Sequence, residues 1–450
     1  MAELVQADAV IIGAGCAGLA AAVRLSGRGA KVVVVEQAPR LGGRATSFVD
    51  RESGERVDNG QHVLFGCYRE TYKLLNDIGA ADHAPLERTL QLTMAGGLDG
   101  KSFHLHCPEL PSPWHLMFGL LTWSAVPVVD RLAARHMKGL LQDAHRRRPE
   151  DVAAGVDPSL TVTDWLTARH QPASMRKWLW NPLAYAALNQ SPDDAAARPF
   201  VRVLAEMFGP DPHAAAVGLP RVPLDELMAA PAVEYIQARG GTVLTKRPAR
   251  IAVNGERIAS VKVGDTTIRA ATVISAVPWH AFSGIWEESV PASLGDVARN
   301  AAGMRSTPIV TVNLWFDRAV MARRPSFLGV SDGTMQWVFD REAITGTGGH
   351  LSAVSSGAVD LVRLENDDLV ARAEADVRRV LPAAARATLT RALVVREPRA
   401  GFSLAPNAPP RPKTITPLQG FLLAGDWTDT GLPATIEGAV RSGVAAAARA

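Results

Sequence analysis

Cysteine is scarce in this sequence, and neither sign of charge dominates it. Only three of the 450 residues are cysteine, Cys16, Cys67 and Cys107. Their spacing fits neither a disulfide framework nor a zinc site, so we expect no metal and a reducing cytoplasm. The formal net charge is +3, and no basic stripe alternates with aromatic residues, so we expect no nucleic-acid partner. Disulfide-rich secreted domains and structural zinc proteins are excluded on the same grounds.

The sequence also lacks a recognisable targeting segment. The opening MAELVQADAV has no basic start, long apolar segment or small-residue cleavage site. Later, residues 110–129 contain no Asp, Glu, Lys or Arg and approach the length of a membrane span. Prolines interrupt that run at positions 111, 113 and 127, which disfavours a span.

An amphipathic helix ending in three arginines (146–148) is predicted directly after this run. A buried helical pair and a surface anchor with arginines at lipid headgroups both fit the two segments. We therefore treat residues 110–148 as a candidate peripheral membrane contact, on the inner face of the cytoplasmic membrane.

The amino-terminal segment has the pattern of a dinucleotide-binding unit. Ala9–Ile12 is a short apolar run typical of a buried parallel strand. Gly13, Gly15 and Gly18 then form GxGxxG before an alanine-rich helix. A second apolar strand follows at Lys31–Val35. The motif therefore lies in the strand–turn–helix–strand context that gives it meaning.

Each part of this unit has a physical task. Gly13 permits a tight turn, Gly15 lets the backbone approach a pyrophosphate, and Gly18 lets the helix pack closely on the sheet. The helix N-terminus offers free N–H groups to the phosphates. Glu36, at the end of the second strand, can accept hydrogen bonds from ribose hydroxyls and would repel a 2′-phosphate, which argues against NADP.

Strands typical of the same unit recur in the middle and at the end of the chain. An Asn254-Gly255 turn and a buried strand at Thr272–Ala276 are predicted in the middle. Phe421–Ala424 is a last apolar strand, and a helix opens at Pro433–Glu437. We therefore predict an α/β fold, in which a discontinuous Rossmann-like domain with a parallel sheet is interleaved with a mixed α+β substrate domain.

The predicted boundaries assign residues 1–95, 222–287 and 410–450 to the nucleotide-binding domain, and residues 96–221 and 288–409 to the substrate domain. The substrate segments are rich in aromatic residues, which suit core packing or an apolar tunnel. These are Trp114, Trp123, Trp165, Trp178, Trp180, Trp315, Trp337, Phe200, Phe208, Phe316, Phe339 and Phe402.

Two further stretches resemble the FAD-dependent amine oxidase and phytoene desaturase superfamily. PRLGGRATS places Gly42, Gly43 and Arg44 just beyond the acidic strand end, and AGDW ends the last strand at Asp426. The resemblance implies FAD as the cofactor. It also implies that Arg44 approaches FAD and that Asp426 binds ribitol or pyrophosphate oxygens.

Combined with the first motif, the resemblance implies a broader set of contacts, with adenine beside Pro248 and Ala249 and the flavin ring near backbone amides of residues 435–438. The residues predicted to contact the cofactor are Gly13, Gly15, Ala17, Gly18, Glu36, Gln37, Gly42, Gly43, Arg44, Asn59, Gly60, Gln61, His62, Pro248, Ala249, Gly425, Asp426, Thr435, Ile436 and Glu437.

Three stretches resemble a narrower group, the bacterial hydroxysqualene dehydroxylases of hopanoid synthesis. They are VDNGQHVLFGCYRETYKLL, WNPLAYAALNQSPDDAAAR and AGDWTDTGLPATIEGAVRSG. This resemblance implies that reduced FAD replaces the allylic hydroxyl of hydroxysqualene with hydrogen, giving squalene and water. Loss of the hydroxyl needs a proton, and an allylic cation can develop.

Candidates for handling the proton and the charge come from two of these stretches. His62 and Tyr185 are the predicted proton donors, His62 because its ordinary pKa is near neutral, and Asp58 completes the predicted catalytic set. Asn181 and Asn189 are further polar candidates. A purely structural hydrogen bond is the alternative interpretation of His62.

Other functions stay open at this stage. An oxidative desaturase of long isoprenoids would share the cofactor and the substrate class. A small-amine oxidase needs an aromatic cage, for which the terminal segment offers only Trp427. A flavin-binding scaffold that passes isoprenoids between enzymes is a third alternative. No second GxGxxG indicates an NAD(P)H domain, so a partner reductase or free reduced flavin is the expected electron donor.

Overall fold

The computed structural model describes residues 3–97, 99–321, 325–346 and 348–450. One seven-stranded sheet, here called the nucleotide sheet, combines strands from the start, middle and end of the chain. Its order is Ala249–Asn254, Arg257–Val263, Thr266–Ser275, Glu3–Ile12, Val32–Val35 and Thr242–Leu244, with Phe421–Leu423 paired to Thr266–Ser275. The predicted discontinuous α/β fold is confirmed.

The nucleotide sheet is parallel where the predicted motif lies. Strand Glu3–Ile12 pairs in parallel with Thr266–Ser275 and with Val32–Val35, and all four valines of the latter are buried. A strand covered on both faces needs such a continuous apolar run. Helices Cys16–Ser26 and Ile436–Ala447 pack against each other on one side. A tight hairpin turn joins Ala249–Asn254 to Arg257–Val263, but its two central residues are Gly255 and Glu256, one position later than predicted, because Asn254 still pairs with Arg257.

The second sheet also has seven strands and is mainly antiparallel. Its order is Leu389–Phe402, Ser306–Phe316, His350–Ser356, Trp337–Asp340, Phe327–Val330, Gln91–Gly96 and Lys101–His106. Helix Asn366–Val380 covers one face and shares a buried apolar cluster with it. The other face is turned to a cavity described below. Because Gln91–Gly96 belongs to this sheet, the chain changes sheets at about residue 90.

The remaining elements are short strands and helices. Two-stranded sheets form between Ser47–Val49 and Arg56–Asp58, and between Leu64–Phe65 and Val217–Gly218. The α-helices not yet given are Arg69–Asp77, Trp114–Thr122, Val128–Arg131, Lys138–Arg146, Pro149–Ala154, Val162–Ala168, Ala173–Met175, Asn181–Leu188, Ala197–Met207, Ala230–Gln237, Gly295–Gly303 and Glu342–Thr345.

The segment after Pro127 differs from the single amphipathic helix that we predicted. It consists of α-helix Val128–Arg131, a 3-10 segment Leu132–Met137 and α-helix Lys138–Arg146. The Arg131 guanidinium donates hydrogen bonds to the carbonyl oxygens of Val126 and Leu121, which ties the first helix back to the preceding one. Among the described residues, no helix has the length and apolar character needed to cross a membrane.

Candidate functional site

A cavity of about 820 Å³ lies where the carboxyl ends of the parallel strands meet the second sheet. Open α/β sheets bind ligands at this edge. Most of the predicted cofactor residues line it, although they come from five separate stretches of chain. They are Gly13, Gly15, Ala17, Glu36, Gln37, Gly42, Gly43, Arg44, Asn59, Gly60, Gln61, His62, Ala249, Gly425, Asp426, Thr435 and Ile436.

The two glycine motifs meet at one wall of this cavity. Gly13 has φ +102°, a conformation that favours glycine. The amide of Gly42 donates to the carbonyl oxygen of Ala14 at 2.8 Å, which holds the second motif against the first. Helix Cys16–Ser26 begins at this point, and no side chain caps its first N–H groups. Such an uncapped helix N-terminus facing a cavity fits a pyrophosphate.

Glu36 is held in place beside the glycine turn. Its two carboxylate oxygens accept hydrogen bonds from the backbone amides of Ala14 and Ala38, each at 2.8 Å. A carboxylate has about four lone-pair sites, so two backbone donors leave acceptor capacity for ribose hydroxyls. The free acceptor sites of Glu36 therefore fit the ribose hydroxyls of FAD. Its negative charge disfavours an added phosphate at the same place.

Arg44 and Asp426, the two residues that the family resemblance assigned to the cofactor, lie together in the cavity. The guanidinium of Arg44 donates to Oδ1 of Asp426 and to the carbonyl oxygen of Ala400, both at 2.6 Å. Asp426 is buried. The ion pair joins the second glycine motif to the carboxyl end of the last strand, so it closes the polar part of the cavity.

The stretch from Asp58 to His62 connects the cavity to a buried polar network. Gln61 accepts a hydrogen bond from Arg341 through Oε1 and donates to Ser352 Oγ at 3.3 Å. Arg341 also donates to Oδ2 of Asp58, whereas Oδ1 accepts from Ser47 Oγ at 2.6 Å. Asp58 and Arg341 are 1% and 3% exposed. Asp58 is thus an internal anchor of the cavity wall and does not line the cavity.

His62 faces the cavity with one unused polar atom. Its Nδ1 is buried and has no hydrogen-bond partner among the described residues. Enclosure by protein lowers the pKa of the imidazole from 6.5 to about 4; the nearby Asp58 raises it and Arg44 lowers it further. The ring is therefore neutral at pH 7. An unsatisfied ring nitrogen at the cavity wall fits a ligand that supplies the missing hydrogen bond.

We expect the stability of the protein to depend on this imidazole below neutral pH. The unfolded chain binds a proton near pH 6.5 that folded His62 binds only near pH 4. The stabilisation present above pH 6.5 is therefore lost as the pH falls towards 4. Urea unfolding at a series of pH values should show a weaker dependence in His62→Asn. The same change at exposed His106 should leave the dependence as in the wild type, and an unchanged slope in His62→Asn would refute the assignment.

Three predicted cofactor residues do not line the cavity. Pro248 precedes the lining residue Ala249. Gly18 lies within the first helix, where an added Cβ would be 1.9 Å from the carbonyl oxygen of Gly13, so its role is close packing. Glu437 accepts hydrogen bonds from the amide and hydroxyl of Thr71, at 2.9 and 2.7 Å. It therefore joins two helices, and contact with FAD has no support in the geometry.

The predicted residues of the middle region also differ in position. Helix Asn181–Leu188 turns Pro182, Leu183, Ala186 and Ala187 to the cavity, and Tyr185 is absent from the lining. Asn189 does line it, but its amide is used elsewhere: Nδ2 donates to Thr307 at 3.0 Å and Oδ1 accepts from the amide of Gly357 at 2.7 Å. Asn181 is absent from the lining as well. These positions remove the geometric support for Tyr185 as the proton donor.

Away from the glycine motifs the cavity lining is mainly apolar. Most of the apolar residues come from the second sheet, from helix Asn181–Leu188 and from the end of helix Ala197–Met207. The residues are Leu90, Leu92, Leu105, Leu179, Pro182, Leu183, Met207, Phe208, Val217, Phe327, Trp337, Phe339, Val354 and Val395. Of the aromatic residues predicted for an apolar tunnel, only Phe208, Trp337 and Phe339 take part; Trp123, Trp165 and Phe200 are fully buried core residues.

Sequence reasoning missed one acidic and four basic groups of the lining. These are Glu397, Arg399, His280, Arg247 and Arg250, and no local motif marks them. Glu397 accepts a hydrogen bond from Asn59 Nδ2 at 3.1 Å, across a separation of 338 residues. The alternation along strand Leu389–Phe402, which turns Val395, Glu397 and Arg399 to one side, was the available signal.

The fold and this site define an FAD-binding oxidoreductase. The glycine turn, the acid at the second strand end and the helix N-terminus form a dinucleotide cradle, and the same cavity continues into an apolar chamber. The model for flavin-containing amine oxidoreductases matches residues 16–450, and the chain therefore belongs to that family. FAD is its cofactor.

Curated relatives within this family carry more specific names. A hydroxysqualene dehydroxylase of Sinorhizobium fredii is 30% identical over 97% of this chain and 96% of its own length. A 15-cis-phytoene desaturase of an Oncidium hybrid cultivar is 25% identical over 97% of this chain and 76% of its own. A solved structure of putrescine oxidase has a TM-score of 0.70 at 18% identity, with 99% of each chain covered, so that likeness shows the fold.

Trp427 is the residue that the sequence offered for the aromatic cage expected in a small-amine oxidase. Trp427 does not line the cavity. It is fully buried, and its indole N–H donates to the carbonyl oxygen of Val277 at 2.9 Å. The residue that could have contributed to a cage is therefore part of the core.

Proposed function

We propose that this oxidoreductase removes the allylic hydroxyl of hydroxysqualene and yields squalene and water. The observation that carries the proposal is the continuity of one cavity, which runs from the FAD cradle into a chamber lined by leucine, valine and aromatic side chains. An apolar chamber of this kind suits a long isoprenoid. The likeness to a hydroxysqualene dehydroxylase at 30% identity supports the same choice of substrate.

Bound, reduced FAD would supply hydride, and the protein would supply position, an apolar chamber and control of charge. Gln61, His62 and Asn59 line the cavity between the cradle and the apolar chamber. Their polar groups suit a substrate hydroxyl at that junction. His62 is neutral at pH 7 because its pKa is about 4, so it can hold the hydroxyl through Nδ1 but cannot act there as a cationic acid.

Product analysis tests the proposal directly. Purified protein, FAD, a chemical reductant and hydroxysqualene are incubated, and the extracted lipids are separated by gas chromatography with mass detection. We expect squalene to accumulate in proportion to enzyme. The alternative, an oxidative desaturase, predicts no squalene but conversion of phytoene when FAD is oxidised. A partner reductase or free reduced flavin would replace the chemical reductant in the cell.

We further propose that the protein contacts an anionic membrane surface through residues 110–138. Helix Trp114–Thr122 exposes Trp114, Met117, Phe118 and Leu121, which share one helical face, and the next turn exposes Val128, Val129 and Leu132. Exposed Arg135 and Lys138 lie just beyond. An apolar stripe flanked by cations suits headgroups and the start of the acyl chains.

This surface adjoins the apolar chamber. The hydroxyl of Ser112 donates to the carbonyl oxygen of Gly209 at 2.8 Å, and the preceding residue, Phe208, lines the cavity. An oily substrate dissolved in a membrane would therefore reach the chamber over a short path. We place the contact on the inner face of the cytoplasmic membrane, where anionic lipids and a cytoplasmic enzyme meet.

Liposome flotation is expected to show this contact. The wild type should float with vesicles containing anionic lipid, and the triple change Phe118→Ser, Val128→Ser, Val129→Ser should reduce the bound fraction at least about tenfold, because each buried apolar side chain contributes about 1.5–3 kcal/mol. Val359 and Ile415 are similarly exposed but lie elsewhere, so the double change Val359→Ser, Ile415→Ser serves as the control. Equal flotation of both variants would contradict the assignment.

A further inference from the structure

The second sheet presents one acidic side chain to the cavity among the described residues. Ile309 is in register with Glu397 on one side and with Ser356 on the other, and all three line the cavity. The next row is apolar, with Val395 and Val354 flanking Thr311. Glu397 therefore lies where the apolar chamber gives way to the polar FAD cradle.

Two hydrogen bonds hold the Glu397 side chain in place. Oε2 accepts from Asn59 Nδ2 at 3.1 Å, and Oε1 accepts from the backbone amide of Arg399 at 3.2 Å. The amide group of Asn59 also donates to the carbonyl oxygen of Arg44, at 3.3 Å, which fixes its orientation. The carboxylate is thus held at one place on the cavity wall.

The negative charge of Glu397 is not neutralised by an ion pair within the described ranges. The lining cation Arg44 interacts electrostatically with Glu397, but its ion pair is with Asp426, at 2.6 Å. Arg399 also lines the cavity, but it is exposed to solvent, where its charge is screened. A carboxylate fixed at the wall of an enclosed cavity attracts positive charge more strongly than one in water.

We propose that the Glu397 carboxylate stabilises positive charge on the allylic carbons of the substrate. The inference rests on the proposed function. As the carbon–oxygen bond breaks, its electron pair stays on oxygen, which takes a proton from solvent and departs as water. The carbon is left positively charged until it receives the hydride that reduced FAD supplies. Glu397 forms no bond to the substrate and gives up no proton, so its contribution is electrostatic.

Binding of a positively charged substrate mimic tests the role of Glu397 without measuring catalysis. The probe is a long isoprenoid tertiary amine, protonated at pH 7, and its neutral counterpart is squalene. Binding to the FAD-loaded protein is followed by tryptophan fluorescence, since Trp337 lines the cavity. We expect the wild type to prefer the amine and Glu397→Gln to weaken amine binding at least about tenfold. Squalene binding and FAD content should be unchanged.

Turnover gives the second readout. Glu397→Gln should lower kcat for hydroxysqualene by about a hundredfold with KM nearly unchanged, since the charge acts as the hydroxyl leaves. Glu397→Asp keeps the charge and should retain most of the amine preference. If Glu397→Gln does not hold FAD, amine binding is compared between Glu397→Asp and the wild type instead. Glu256→Gln, the same change at an exposed glutamate outside the cavity, should match the wild type.

The outcomes separate the two proposals. A wild type that makes no squalene would overturn the proposed function. A wild type that makes squalene, combined with a Glu397→Gln variant that binds the amine as tightly as the wild type, would overturn the role of Glu397 alone. Loss of the amine preference in Glu397→Asp would equally contradict an electrostatic role.

Discussion

Replacing Gly18 by alanine is expected to yield protein that purifies without FAD. A Cβ at this position would lie 1.9 Å from the carbonyl oxygen of Gly13 and 3.2 Å from Cβ of Ala276. Both neighbours belong to the tight cradle around the glycine turn, and the closest atom is backbone, which cannot rotate away. The helix must therefore move off the turn, and overpacking of this kind typically costs about 1–3 kcal/mol or more.

The FAD-to-protein ratio, read from absorbance after gel filtration, measures this effect. We expect a fall of at least about tenfold, which corresponds to roughly 1.4 kcal/mol. Gly139→Ala is the matched control, since Gly139 is in helix Lys138–Arg146 and nothing lies within 4 Å of an added Cβ. A Gly18→Ala protein that retains a full complement of FAD would show that the first helix can shift without disturbing the cofactor cradle.

Replacing Arg341 by methionine is expected to destabilise the protein by about 3–5 kcal/mol, because it leaves a buried carboxylate without its partner. Arg341 donates to Oδ2 of Asp58, and both side chains are almost completely buried. The same guanidinium orients Gln61 at the cavity wall. Its loss should therefore also loosen the polar part of the wall.

The free energy of unfolding in urea tests this, and a double variant isolates the charge. Asp58→Asn with Arg341→Met removes both charges, so it should recover at least about 1 kcal/mol relative to Arg341→Met alone. Arg318→Met is the control, because Arg318 pairs with Asp317 on the surface, where such pairs contribute about 0–1 kcal/mol. Equal losses in Arg318→Met and Arg341→Met would contradict the assignment.

The nucleotide-binding half was predictable because its signals are local. Gly13, Gly15 and Glu36 fall within one strand–helix–strand unit, and the cofactor residues they imply do line the cavity. The confirmed discontinuity of the domain followed from strands of the same type at the middle and the end of the chain. Periodicity was enough here, because buried parallel strands are continuously apolar.

The rest of the site depends on contacts between distant parts of the chain. Asp58 meets Arg341 across 283 residues and Asn59 meets Glu397 across 338, and neither partner carries a motif. Tyr185 lies in a helix of which Pro182, Leu183, Ala186 and Ala187 face the cavity, and the rotation of the helix decides which side chains do so. The pKa of His62 is likewise set by enclosure, which composition does not reveal.

The direction of electron flow is the central claim, and anaerobic reoxidation measures it. The FAD-loaded enzyme is reduced to completion, freed of excess reductant and mixed with hydroxysqualene without oxygen. We predict that the yellow absorbance of oxidised flavin returns and that squalene forms in equal amount. An enzyme that stays reduced with hydroxysqualene, but whose oxidised form is bleached by phytoene, would contradict the account and establish a desaturase.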